Sequence, residues 1–132
     1  MLYLVLCTEI YWPFVLELRN KVKDMFFNTN TVTEEEHKLF MSKNYASYFV
    51  CVESVLGGMP VGFIGIVDGD FRFAVEPDYQ GRGVGEFMLK NFPIPVNTVK
   101  IKVENVKTRR FFEKRGFKPK YILFEREANE SV

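Results

Sequence analysis

Three glycines two residues apart, Gly81, Gly83 and Gly85, stand in the run EPDYQGRGVGEFMLKNF, with Gln80 before them and Arg82 and Val84 between. Glycine lets a backbone turn sharply and lets a ligand approach main-chain amides that a side chain would screen. Where a helix follows, its first N–H groups have no intrahelical acceptor, and the helix dipole adds positive potential. Phosphate oxygens suit such a place, and Arg82 would add a charge-assisted donor. The same glycines also suit a tight structural turn, and the residues alone leave both readings open. Two familiar phosphate loops are excluded. No Gly-Lys-Ser/Thr occurs here, and the spacing departs from the dinucleotide fingerprint, which also needs a βαβ setting. His37 is the sole histidine, and its side chain titrates near neutrality, so it is the candidate general base. A structural or exposed place on an amphipathic helix is the competing reading. Glu36 and Glu76 are further base candidates. Tyr79 is a candidate proton donor, with packing as its alternative.

The elements that must position these residues follow from periodicity and punctuation. LYLVLCTEI (2–10) reads as a buried first strand. Pro13 suits the first turn of a helix, continued by Phe14, Leu18 and Val22 at helical spacing. NTNTVT (28–33) is loop-like. Thr33 followed by Glu36 is a capping-box pattern, which predicts a second helix over EEEHKLFMSK. Strands are predicted at 47–54 and 61–67. Asp68-Gly69 between two apolar runs predicts a two-residue hairpin turn onto 70–75, ended by Pro77. A helix is predicted over 83–91 and a strand over TVKIKV (98–103). Another helix should run between an Asn105 cap and a Gly116 stop, before a last strand YILFER (121–126) and a frayed tail. This order is mixed α/β with a largely antiparallel first half.

Composition narrows the classes of function. A chain of 132 residues suits one domain with one core. A net charge of +1 gives no reason to expect nucleic-acid or membrane binding. Residues 98–120 nevertheless hold nine basic side chains against Glu104 and Glu113, either a solvated surface or one that attracts an anionic ligand. The two cysteines, Cys7 and Cys51, are too few for a disulfide framework, which points to a reduced, cytoplasmic setting. LVLC superficially resembles a lipoprotein cleavage box, but it lacks a basic n-region and a long enough apolar run. No stretch reaches the ~18 apolar residues of a membrane span.

Gln80-Gly81-Arg82-Gly83-Val84-Gly85 resembles the acetyl-CoA pyrophosphate signature of the GNAT superfamily of N-acetyltransferases, and VEPDYQGRGVG resembles that family's context after its fourth strand. ENVKTRRFFEKRGF is similar to the second signature through Asn105, Phe112, Gly116 and Phe117. The resemblance implies an α/β (α+β), single-domain GNAT-like fold, with a mixed, mostly antiparallel sheet flanked by helices and a shortened C-terminal strand pair. It implies acetyl-CoA as co-substrate and no metal. Val75 would offer strand backbone to the pantetheine arm. Amides of Gln80, Gly81, Arg82, Gly83, Val84 and Gly85 would hold the pyrophosphate, and Asn105 would meet the arm from the opposite side. The strand before Pro77 and the strand at 98–103 would splay apart to admit the thioester. Phe112 stands where the family often has a proton-donating tyrosine, and Lys100 and Lys102 stand where a fifth-strand carboxylate is common.

LRNKVKDMFFNTNTVTEEEHKLFM resembles a segment of family members that act on amino-sugar nucleotides, such as those of pseudaminic acid biosynthesis; Arg19, Asn20, Glu36 and His37 fall on the matching positions. These imply contacts with an acceptor, with a purely structural role as the alternative. The acceptor expected is a small-molecule amine, an amino-sugar or its nucleotide first. A peptide amine is the second class, and a non-catalytic CoA-binding module is the third reading. The resemblance, with its shortened C-terminal strand pair, implies an acceptor side that would be more open than usual or be completed by a partner chain, as in a homodimer.

Overall fold

The computed structural model describes residues 1–26 and 30–126. Its chain forms two compact units, Met1–Lys102 and Val103–Val132. In the first, strands β1 (Leu2–Leu6), β2 (Tyr48–Glu53), β3 (Met59–Val67) and β4 (Asp70–Val75) form an antiparallel sheet in that spatial order. Helices α1 (Trp12–Lys21) and α2 (Glu34–Asn44) pack on one face, where Val15, Leu18 and Met41 meet Tyr48, Val50, Phe63 and Ala74. Helix α3 (Val84–Asn91) packs on the other face through Val84 and Met88, against Cys51, Val61 and Ile64.

Local chemistry explains most of these boundaries. Pro13 occupies the first turn of α1, where its missing N–H costs nothing. Thr33 and Glu36 form both halves of a capping box at α2, the Thr33 hydroxyl accepting from Glu36 N–H and the Glu36 carboxylate from Thr33 N–H. Asp68 and Gly69 both take positive φ, 52° and 77°, so β3 and β4 join through the mirror-image turn that strand twist favours. β1 is shorter than the strand predicted over 2–10. After Leu6 the chain turns at Thr8 into a 3-10 turn, Glu9–Tyr11, and Trp12 donates its ring N–H to the Cys7 carbonyl.

Two glycines in β3 mark close approaches. A Cβ on Gly62 would lie 2.9 Å from the Ala74 carbonyl and 3.0 Å from Met88, so α3 packs where a side chain is missing. At Gly65 it would fall 2.8 Å from the Tyr48 ring, which lies across the strand there. The β2–β3 register shifts between Cys51 and Val52, with Cys51 opposite Gly62 and Val52 opposite Pro60. Val61 is the extra residue of this bulge.

The second unit holds helix α4 (Val106–Glu113), capped by the Asn105 side chain accepting from Thr108 N–H. Gly116, at φ 89°, ends the following turn, and Phe117 N–H donates to the Phe112 carbonyl. The strands predicted at 98–103 and 121–126 do not form: both segments lack regular secondary structure. Their β-branched and apolar residues fit a strand only where a neighbour supplies ladder hydrogen bonds and a face to pack on, and β4 is the last strand in the order. The pair of splayed strands expected around 98–103 is therefore absent among the described residues. The loop reading of 28–33 falls partly, and the frayed tail after residue 126 wholly, outside the described residues.

Candidate functional site

The hairpin delivers the chain to the glycine run. Glu76 N–H donates to the Val61 carbonyl at 2.8 Å, which marks the Gly62–Val75 pair as non-hydrogen-bonded across β3 and β4. The N–H and C=O of Val75, and by alternation those of Phe73, therefore point to the outer edge of β4. A single 3-10 turn, Pro77–Tyr79, follows. The Gln80 side-chain amide reaches back to the Val75 carbonyl at 3.3 Å, closing the loop on itself.

Gly81 and Gly83 both adopt left-handed backbone, φ 78° and 80°, and a Cβ on either would meet no heavy atom within 4 Å. Glycine is needed here for conformation, and the space beside it is open. Gly83 is the N-cap of α3, with no side chain capping it, and the first helical bond runs from Phe87 N–H to the Gly83 carbonyl. The amides of Val84 and Gly85 lie in the first turn, ahead of that donor. Gly81, Arg82 and Gly83 are exposed, whereas Val84 is buried and pins the turn to the core. The Arg82 guanidinium lies over the Tyr79 ring, 5.1 Å from its centroid, and the Tyr79 hydroxyl points to the Met59 sulfur at 3.6 Å. Tyr79 thus packs, as one of its two sequence readings has it. Main-chain donors, a helix dipole and one cation thus meet at the end of a strand, an arrangement whose chemistry suits an anion.

The remaining expected site residues fall elsewhere. Asn20 is locked to Val32, donating to its carbonyl and accepting its N–H. Arg19 donates to the Asn30 carbonyl at 3.4 Å and lies over the Phe26 ring at 4.8 Å. Glu36 serves the α2 cap, whose hydrogen bonds with Thr33 hold its carboxyl below the usual range. His37 is buried, and its Nε2 meets the Trp12 carbonyl at 2.9 Å. A carbonyl only accepts, so Nε2 carries the proton and Nδ1 is the basic nitrogen. Burial lowers its pKa, partly offset by the Trp12 contact, so the ring is neutral at pH 7. Asn105 and Phe112 belong to the second unit. The Asn105 side-chain oxygen caps α4. Phe112 is buried, with the Phe111 and Phe117 rings edge-on at 5.1 Å and 5.3 Å.

Two features escaped sequence reasoning. Lys21 grips both carboxylate oxygens of Glu76 at 3.0 Å and 3.1 Å, tying α1 to the end of β4. Arg72, on β4, lies over the Phe40 ring at 4.9 Å and meets Asp70 at 3.4 Å. Alternation in DFRFAV, which puts Arg72 and Ala74 on one face, is the signal that would have found it. Cys7 and Cys51 are fully buried, and burial pushes their thiols up to about 12 and about 11, so neither offers a thiolate nucleophile. Among the described residues no three His, Cys, Asp or Glu side chains converge as a metal site, and no helix is long and apolar enough to cross a membrane.

Comparison with known proteins bears on the whole arrangement. The family model described as acetyltransferase (GNAT) domain matches residues 44–119. Among solved structures, spermidine N-acetyltransferase from Vibrio cholerae, in complex with CoA and spermine, superposes with a TM-score of 0.77 at 18% identity, covering 95% of this chain and 85% of that one. An aminoglycoside N-acetyltransferase in complex with CoA gives 0.71 at 14% identity, covering 97% and 95%. Ribosomal-protein-alanine N-acetyltransferase from Brucella melitensis gives 0.68 at 18% identity, covering 88% and 84%. At these identities the likeness is one of fold. A search of curated protein sequences finds no match.

Proposed function

The chain belongs to the GNAT acetyltransferase family, and from that premise we propose that it moves the acetyl group of acetyl-CoA to the primary amine of a small molecule, an amino-sugar or amino-sugar nucleotide first. The observation that carries this reading is the loop from Gln80 to Gly85, which turns through two left-handed glycines into the uncapped start of α3. The amides of Val84 and Gly85 and the Arg82 guanidinium suit a pyrophosphate, and the outward backbone of Val75 suits the amides of a pantetheine arm. We assign both units to one acetyltransferase domain, a reading supported by a matched region, residues 44–119, that includes part of each. We place the protein in the cytoplasm, in keeping with its two free thiols.

Acetyl-CoA supplies the activated acyl carbon. The amine nitrogen attacks it, the C–N bond forms, the C–S bond breaks, one proton leaves the nitrogen and one reaches the CoA sulfur. His37 is neutral and able to accept a proton at Nδ1. Phe112 has none to give, so water protonates the thiolate, a tolerable leaving group. The buried Phe112 favours a second reading, a CoA-binding module without turnover.

Thermal unfolding with and without saturating acetyl-CoA tests the cradle, with NADH and ATP as controls. At ~100 times the dissociation constant the ligand should add ~2.7 kcal/mol, a rise of several degrees. Thiol release during an amine screen then separates enzyme from module. No shift from acetyl-CoA in folded protein would overturn the proposal.

A further inference from the structure

The Tyr79 ring stands under the cation of the Gln80–Gly85 loop and has no part in the chemistry proposed above. Tyr79 ends the 3-10 turn Pro77–Tyr79, and its N–H donates to the Glu76 carbonyl at 2.8 Å. Its ring is half-buried against the cluster that holds Val61, Ile64, Val84 and Met88. Its hydroxyl donates to the sulfur of Met59, at the start of β3, 3.6 Å away. Turn, core and strand thus fix the ring from three sides. Arg82 follows three residues later, exposed, with its guanidinium 5.1 Å from the ring centroid. Gly81 and Gly83 flank it without side chains, so its immediate neighbours cannot steer it. Among the described residues the guanidinium makes no hydrogen bond or ion pair, and the ring is its partner.

We propose that Tyr79 is a positioning residue: its ring holds the Arg82 guanidinium ready for the pyrophosphate of acetyl-CoA, and Met59 holds the ring. The proposal rests on the acetyltransferase reading and adds to it a residue that touches neither phosphate nor acyl group. Arginine has one of the largest losses of rotamer freedom when a ligand immobilises it. A ring that restrains it beforehand removes part of that loss from binding. A guanidinium lying over an aromatic face keeps its edge N–H groups, the donors that phosphate oxygens take. The hydroxyl proton is committed to the thioether, so Tyr79 serves through its ring and not as an acid.

Calorimetric titration with CoA tests this through a double-mutant cycle, with unfolding midpoints recorded so that affinities are compared where every variant is folded. Arg82→Gln should weaken binding roughly tenfold, through loss of a charge-assisted contact. Tyr79→Leu keeps apolar bulk against the core but offers no ring face. It should weaken binding roughly two- to fivefold, as expected for an exposed cation–π contact. In the Arg82→Gln background the same change should have no further effect, because it acts only through the guanidinium. Tyr79→Phe keeps the face and should recover most of the affinity that Tyr79→Leu loses. An equal loss from Tyr79→Leu in both backgrounds marks a merely structural residue and overturns the proposal. Wild-type affinity in Tyr79→Leu, or Tyr79→Phe binding no better than Tyr79→Leu, overturns it too. Wild-type affinity in Arg82→Gln overturns it while leaving the acetyltransferase reading intact. No binding of CoA by the wild-type protein strikes that reading, and the positioning role with it.

Discussion

At the scale of single residues, Gly83 and His37 each carry one prediction about the fold and one about the proposed chemistry. Gly83 sits at φ 80° with open space beside it, so Gly83→Val causes no collision within the chain but forces a branched residue into left-handed backbone. The variant should fold with a loss of about 1–2 kcal/mol and bind CoA at least tenfold more weakly, about 1.4 kcal/mol. Calorimetric titration and thermal unfolding read the two effects separately. Unchanged affinity would reduce the loop to a turn. His37 makes a claim about pH. Its native pKa lies below the ordinary 6.5, so below that value the unfolded chain takes up a proton that the native chain refuses. Stability should be level above pH 6.5 and fall as pH drops from there toward the depressed native value. His37→Gln, which keeps a donor for the Trp12 carbonyl, should flatten that limb in urea titrations at stepped pH. Turnover surviving the substitution would remove His37 as the base.

Among elements, those set by local chemistry were legible and those set by partners were not. The capping box, Pro13, the Asp68-Gly69 hairpin, the Asn105 cap and the Gly116 stop each depend on residues within a few positions, and each forms as the sequence implies. Thr33→Ala should therefore cost ~1 kcal/mol through loss of the α2 cap, measured as a lower urea midpoint at unchanged slope. The segments 98–103 and 121–126 carry the same β-forming residues as β2, yet stay irregular because a strand is completed by its neighbour. The Val61 bulge and the bare surfaces of Gly62 and Gly65 likewise depend on what packs above them. In the Gln80–Gly85 loop, motif spacing singled out the residues that the structure gathers at one turn. The outward pointing of Val75 came only from the ladder, and the placing of Arg72 required three strands in register.

For the molecule as a whole, order is concentrated in the sheet. β2 and β3, each paired on both sides, should show the slowest amide exchange, and 97–104 and 118–126 the fastest. Saturating acetyl-CoA should slow exchange at residues 82–87 in particular; protection spread evenly along the chain would speak against a local cradle. Tyr121, Ile122, Leu123 and Phe124 lie side by side and are 94%, 81%, 66% and 90% exposed, which makes them a short adhesive strip. Lys118 and Lys120 before it, and Glu125 and Arg126 after it, act as its guards, because charge at the flanks keeps such strips on different molecules apart. Salt shortens the reach of that guard to ~3 Å at 1 M. The protein's colloidal stability should therefore worsen with added sodium chloride, with the strip as the point where copies first cling.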